Sequence, residues 1–428
     1  MSTEPQKSDS TNLERSGAET TETEVDARGD IVRQIVGGNA AISVLAIVLS
    51  LAIGGVLIAF ANEDVREAST YFFSRPADLL GEAFEAVRSA YSALFRGSIF
   101  DWRQDTFAAQ VRPLTNSMVF ATPLILAGLG IAVAFRAGLF NIGAQGQIII
   151  GAIFASYIGF AWDLPVGLHL LLAILGGAIG GAVWGAIPGV LKARFGANEV
   201  IVTIMLNYIA VYTISYTLSQ PVFNPGRSGQ RSPAIADSAT YPLLIPDWLV
   251  PGNSFRLHWG FVVALIAVGV VWWLLERSTI GFELRAAGAN PHAARTAGMS
   301  VGKVTVITMC IAGGLAGLAA TAQVLGTEGS LTAGVAASYG FDAITVALLG
   351  RSKPVGTLLA GLLFGALKSG GFLMQAETQT PIDIILVVQS IIVLLIAAPP
   401  LIRAIFRLPD PDRPRRRATK SAPEEVTV

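Results

Sequence analysis

Cysteine is almost missing: Cys310 stands alone in 428 residues, which excludes an internal disulfide and any cysteine-rich metal site. The three histidines, His169, His258 and His292, lie far apart and share no metal-ligand spacing, so no metal site is expected. Catalytic signatures are equally scarce. The chain has no GxSxG elbow, no HExxH and no clustered carboxylate pair, so no catalytic residue is assigned. Gly298-Met299-Ser300-Val301-Gly302-Lys303 looks like a phosphate loop, but it has three residues between its glycines where four are needed. Val304 also replaces the hydroxyl that would hold magnesium. If the chain's work consumes ATP, another polypeptide must bind it. Charge is the largest deficit. Only 14% of residues are charged, 30 basic against 30 acidic, and the balanced total gives no ground for expecting a nucleic-acid partner.

What is abundant is apolar sequence. Hydrophobic residues make up 52% of the chain, in recurring runs of about 18 to 22 residues, long enough to cross roughly 30 Å of hydrocarbon as helices. The expected fold class is an all-α polytopic membrane protein of about ten transmembrane helices in a lipid bilayer. Residues 1–38 open with a Ser-, Thr- and Glu-rich stretch that cannot bury enough surface to fold, and they are read as a disordered tail. The acidic opening is the wrong start for a cleavable signal, so the first span, about 40–60, is read as an uncleaved anchor. Residues 62–112 carry six arginines and eight acids, with Ala83, Val87, Ala90, Tyr91 and Leu94 at helical spacing, which predicts an amphipathic helix at the interface.

Further spans are expected at about 114–135, from GLFNIGAQGQ to Trp162, 167–190, 198–220, 259–275, 304–325, 334–350, 355–375 and 383–402. Trp248 and Trp259 are placed as interfacial anchors. Gly176, Gly177, Gly180, Gly181 and Gly185, and again Gly313 and Gly317, give the small-residue spacing that lets helices approach closely in lipid. The 334–350 segment is short for a crossing and reads as a re-entrant or discontinuous helix, tolerated where it is buried in protein or lines a cavity. It shares a faint glycine-interrupted pattern with GLFNIGAQGQIIIGA in the first half. With both termini cytoplasmic, ten spans put Arg136, Lys192, Arg194, Arg351, Lys353 and the basic tail on one side, and only the 62–112 loop dissents. The domain reading is a tail (1–38), a first span with an external loop (39–113), a core (114–402) and a basic cytoplasmic tail (403–428).

Polar residues inside the spans are the informative class, because each costs energy in hydrocarbon unless it meets a partner or water. Asn141, Gln145 and Gln147 cluster among glycines, and the spacing of Asn141 and Gln145 predicts one helix face. Glu199, Thr203 and Asn207 form a second stripe, and Tyr208, Tyr212 and Tyr216 a third. The amides suit either a neutral polar solute or interhelical hydrogen bonding. Glu199, after Asn198 at a helix start, reads as N-terminal capping and dipole interaction rather than ligand contact, and the tyrosines read as packing or interface anchors. Asp342 is expected to pair with an arginine or to cap a half-helix. Asn141, Gln145, Gln147, Thr203, Asn207 and Asp342 make up the candidate substrate pathway.

Residues 277–303 are a charged island between apolar runs, with Arg277, Glu283, Arg285, His292, Arg295 and Lys303 close together. Glu283 to Ala287 is a good helix former, Gly288 is expected to stop it, and Asn290 before Pro291 predicts the cap of a second short helix. Such an island is either a docking surface for a soluble partner or an ordinary positive cytoplasmic loop.

Four stretches in order, AFRAGLFNIGAQGQIIIGA, GANEVIVTIMLNYIAVY, TIGFELRAAGANPHAARTAGM and GFDAITVALLGRSKPVGTLLAG, resemble the permease subunits of ABC importers that carry simple sugars and nucleosides. The resemblance spans about residues 110–402, and FNIGAQGQ and NEVIVTIMLNY look most like nucleoside permeases. It implies that 281–299 is the cytoplasmic coupling helix, with Glu283, Leu284, Arg285, Ala286, Gly288, Asn290, Ala294 and Gly298 at the ATPase contact. The partners it implies are two ABC ATPase domains that bind ATP and Mg, a second permease subunit (identical or sister), and an external substrate-binding lipoprotein. It implies no cofactor and no enzyme activity in this chain, and a bacterial plasma membrane location. The rival readings are a simple-sugar permease, an ion-coupled secondary transporter that would need acidic or histidine residues mid-membrane, for which only Asp342 and Glu199 are available, and a membrane-embedded enzyme.

Overall fold

The computed structural model describes residues 39–225, 229–246, 250 and 255–407. The tail 1–38, Trp248 and the basic segment from 408 onward lie outside the described residues. The described helices run in order α1 (Asn39–Ala61), α2 (Glu63–Thr70), α3 (Pro76–Ser98), α4 (Phe107–Arg136), α5 (Ala144–Ala161), α6 (Leu168–Phe195), α7 (Glu199–Ser219) and α8 (Gly260–Arg277). They continue with α9 (Thr279–Ala289), α10 (Pro291–Thr296), α11 (Val301–Thr321), α12 (Tyr339–Leu349), α13 (Pro354–Thr378), α14 (Asp383–Ala397) and α15 (Pro399–Ile405). The only strand-like pairings among the described residues are two isolated bridges, Arg231 with Thr332 and Leu243 with His258.

Eight of these helices are long and apolar enough to cross a membrane: α1, α4, α5, α6, α7, α8, α11 with its extension, and α13. The shorter α12 and α14 complete the ten apolar segments expected from hydropathy. The last expected span, 383–402, is interrupted. Pro399 and Pro400 begin a separate helix, because a proline has no N–H to continue the preceding ladder.

By packing, the chain parts into two units, Met1–Leu51 with Leu394–Val428, and Ala52–Val393. In the first, Ser50 turns its hydroxyl back onto the Ala46 carbonyl at 2.7 Å, which satisfies it without water. The second unit is built around α4, whose Leu124, Ile125, Leu126, Leu129 and Ile131 are at most 1% exposed. Helices α8, α11, α12 and α13 pack directly against it.

Lipid tails are as apolar as leucine, so close backbone approach rather than the hydrophobic effect holds such helices together. The α6–α11 crossing shows this. A Cβ on Gly181 would fall 2.2 Å from the Gly313 carbonyl oxygen, and one on Gly317 would fall 2.1 Å from that of Gly177. The neighbouring register of α6 serves another helix: Gly176 and Gly180 lie against Ile158 and Phe154 of α5.

Helix α11 ends in a π-helical stretch, Ala322–Glu328, and Gly329 then turns with φ 65°. The backbone stays out of α-helix until α12 opens at Tyr339. The break lies earlier than the expected 334–350: it covers 322–338, and Tyr339–Leu349 is a single short helix.

The apolar stripe of helix α3 is covered by protein. Val87 and Tyr91 face Gly55 of α1, and Leu94 and Gly97 meet Gly370 of α13. The end of α3 is fastened by Arg96, 1% exposed, which donates to both Glu377 carboxylate oxygens and lies 3.4 Å from Asp101. Burial alone would raise the Asp101 carboxyl. Hydrogen bonds from the Gln104 amide and the Arg103 N–H, together with the Arg96 charge, hold it below its ordinary value.

Candidate functional site

Helix α5 starts inside the protein, and Gly143 at its N-cap offers no side-chain acceptor. The leading N–H groups must therefore find partners elsewhere. Asn141 Oδ1 accepts from Gly143 N–H at 2.9 Å, and Asn207 Oδ1, from α7, accepts from Gly146 N–H at 2.9 Å. Asn207 Nδ2 donates in turn to the Ile142 carbonyl at 2.9 Å. The spacing of Asn141 and Gln145 predicts a shared helix face, but α5 begins only at Ala144 and leaves Asn141 in the entering loop. There Asn141 pairs with Gln147 through both amide groups, at 3.1 and 3.3 Å.

Gln145 points to α12 instead. Its Nε2 donates to the Ala337 carbonyl at 2.7 Å, and its Oε1 accepts from Gly340 N–H at 2.9 Å. Gly340 is pressed so close that a Cβ there would lie 2.3 Å from the Gln145 nitrogen. The two faintly similar glycine-bearing segments therefore meet, each opening a helix within the bundle, with one glutamine bridging them.

Beside this junction is a cavity of about 370 Å³, lined by Ile142, Gln145, Ile204, Asn207, Tyr208, Val211 and Phe341. An amide has two N–H donors and a carbonyl with two lone pairs, so Gln145 and Asn207 each keep one of both after their internal bonds. Tyr208 and Phe341 add ring faces. The lining suits a neutral, polar solute with a flat ring.

Two of the six pathway residues thus line the cavity. Asn141 and Gln147 are spent on each other, and Thr203, fully buried, donates to the Glu199 carbonyl at 2.7 Å. The N-cap side chain of α7 is Asn198, which accepts from Val200 and Ile201. Glu199 stands in the first turn, as expected, where its carboxylate takes a backbone N–H of its own residue and pairs with Lys192 at 2.5 Å. Tyr212 and Tyr216 point outward, 74% and 68% exposed.

Asp342 pairs with a lysine, not an arginine. Lys368 Nζ, from α13, lies 3.7 Å from Asp342 Oδ2 and 4.3 Å from the Tyr339 ring centroid. Ser338 donates to the same carboxylate at 2.6 Å. Lys368 was visible in the sequence as a lone charge within the apolar run of α13, the signal that marks a buried partner.

The charged island folds as α9 and α10. Ser278 caps α9 by accepting from Gly281 N–H at 2.9 Å, and Asn290 caps α10 by accepting from His292 and Ala293 at 3.0 and 3.1 Å. Gly288 does not stop α9, which runs on to Ala289. Gly288 is needed for close approach, since a Cβ there would meet the Arg136 carbonyl oxygen at 2.4 Å and the Gly138 nitrogen at 2.9 Å. Leu284, Ala287 and Ala294 are buried and anchor the pair to the bundle, while Glu283, Asn290, Arg295 and Gly298 are exposed. Arg285 and Ala286 are half-buried, and one Arg285 guanidinium nitrogen has no acceptor among the described residues.

Residues 114–397 match a family described as the permease component of branched-chain amino acid transport systems. The chain is 38% identical to the guanosine ABC transporter permease protein NupP of Bacillus subtilis, over 75% of this chain and 88% of that protein. It is 33% identical to the glucose ABC transporter permease protein TsgB13 of Haloferax volcanii, over 88% of this chain and 90% of that protein. It is also 33% identical to the nucleoside ABC transporter permease protein NupB of Lactococcus lactis, over 67% of this chain and 79% of that protein. No solved structure matches the chain.

Proposed function

Since this chain belongs to the permease-component family of branched-chain amino acid transport systems, we propose that it forms the membrane path of an ATP-driven importer of nucleosides. It is a path and not an enzyme: two ABC ATPase domains bind ATP and Mg, and an external binding lipoprotein delivers the solute. A second permease subunit, identical or sister, completes the pair in a bacterial plasma membrane, with both termini in the cytoplasm.

The observation that carries this reading is the seating of α9 and α10. Their exposed edge, Glu283, Asn290 and Arg295, is free to meet a partner. Their buried side reaches the cavity in two steps. Gly288 presses on Arg136 and Gly138, and Gly138 begins the short loop through Asn141 and Ile142 into the start of α5. Arg136 also donates to the Ser352 carbonyl at 3.1 Å, tying the same contact to the turn between α12 and α13. A displacement of α9 by ATPase closure is therefore delivered to both helices that Gln145 bridges. The solute shifts the outward–inward balance only through its different affinity for the two states.

Nucleosides are favoured by the guanosine and nucleoside permeases among the relatives and by the amide-and-ring lining of the cavity. A simple sugar is the second reading, prompted by the glucose permease relative. An ion-coupled carrier is disfavoured because Asp342 and Glu199 are each already engaged by a lysine. The test is ATP-driven uptake of labelled guanosine by the reconstituted complex. Glu283→Ala and Arg285→Ala are expected to cut uptake about tenfold, a coupling loss of ordinary size, while ATP hydrolysis continues. Normal uptake in both variants removes the docking role, and competition by excess glucose moves the substrate to sugars.

A further inference from the structure

Arg194, in the last turn of α6, and Lys303, in the first turn of α11, form no ion pair among the described residues. The acid nearest Arg194 in sequence, Glu199, is already held by Lys192 at 2.5 Å. The two cationic turns run side by side because small residues meet between them: a Cβ on Gly302 would lie 3.6 Å from that of Ala193. Together they border a cavity of about 470 Å³ that is separate from the one at Gln145. Val190 lies four residues inward from Arg194, and Val306 and Ile307 lie three and four inward from Lys303. The cavity is thus cationic at the helix ends and apolar about 6 Å deeper, one helical turn into the spans.

We propose that this cavity is a binding site for an anionic phospholipid, with the headgroup phosphate held between Arg194 and Lys303 and an acyl chain along Val190, Val306 and Ile307. A basic pocket between transmembrane helices at the positive end of a bundle has the charge to hold a lipid phosphate. The apolar wall decides against free phosphate, which would gain nothing from three aliphatic side chains and needs a polar cradle on every side. A partner's carboxylate would likewise leave that wall empty. The segment from Gly298 to Lys303, which fails as a nucleotide loop, thereby has a use for its lysine: a phosphate in the bilayer.

The experiment is native mass spectrometry of the full chain, purified with its associated subunits and offered dioleoylphosphatidylglycerol against dioleoylphosphatidylcholine. The wild-type protein is expected to retain phosphatidylglycerol in preference. Arg194→Gln combined with Lys303→Gln is expected to weaken retention about thirtyfold, and Arg194→Lys to preserve it. Equal retention of the two lipids by the wild-type protein overturns the proposal, and this comparison needs no variant to fold. Displacement of the lipid by inorganic phosphate would make the site one for the free ion and also overturns it. So does unchanged lipid retention in the double glutamine variant; if that variant also sheds its ATPase subunits, the cations serve a protein contact instead.

Discussion

His258 is wedged between backbones: Cβ atoms on Gly260 and Gly326 would lie 2.6 and 2.5 Å from its ring. The ring stacks on Tyr241 with centroids 5.5 Å apart, and its Nδ1 accepts from Gly260 N–H at 3.1 Å, which leaves the proton on Nε2 facing Thr327. Burial, and then the charge of Arg256, pushes its pKa from 6.5 down to about 4. Because the folded value lies below the unfolded one, the neutral ring stabilises the fold fully above pH 6.5, and that stability is lost as pH falls towards 4. The expected result is a melting temperature that declines across this window, worth on the order of 3 kcal/mol, with the slope flattened in His258→Gln. An identical slope in the variant contradicts the assignment. The Asp342–Lys368 pair makes a second residue-level prediction. Asp342→Asn strands a partly buried ammonium and lowers stability by about 1–3 kcal/mol, whereas Asp342→Asn with Lys368→Met recovers most of it in the same melting assay. Sequence alone marks Asp342 as needing a partner but does not say which helix brings it, because hydropathy gives depth and no azimuth. The same gap separates Asn141 from Gln145: their spacing is correct for a helix that has not yet begun.

At the scale of elements, the glycine rows of α6 and α11 were legible because close approach demands a small residue every turn, and that demand is written in the spacing itself. The structure adds which row meets which helix. Adjacent glycines make the distinction testable. A Cβ on Gly313 would sit 2.2 Å from the Gly181 carbonyl oxygen, while one on Gly314 would sit 3.6 Å from that of Ala178. Gly313→Ala is expected to broaden the size-exclusion profile and lower the melting temperature, and Gly314→Ala to leave both unchanged; equal behaviour of the two argues against the crossing. Helix α3 was less legible. An amphipathic stripe looks the same whether lipid or protein covers it, and only its apposition to Gly55 and Gly370 decides the matter. Gly288 misleads in the opposite sense. A glycine after a helical run usually signals a stop, yet here it is kept inside α9 so that the helix can lie against the end of α4.

At the scale of the molecule, the described residues hold ten apolar segments, four of which (α8, α11, α12 and α13) pack against α4, and two are entered through glycine-bearing breaks that meet at Gln145. A bipartite helix rests one contact away from the first of those breaks. The count of apolar segments and the island were readable from composition, since crossing lipid fixes both length and charge placement. Their convergence was not, since it depends on contacts between residues some two hundred positions apart. The central claim is that α9 and α10 face the cytoplasm and are covered there by ATPase subunits. Ala293, exposed on α10, is the position to probe, with Cys310→Ser removing the one native thiol. The measurement is labelling of Ala293→Cys by a membrane-impermeant maleimide. The account predicts no labelling in intact cells, labelling once the inner face is opened, and protection when the ATPase subunits are bound; labelling from outside intact cells would contradict it.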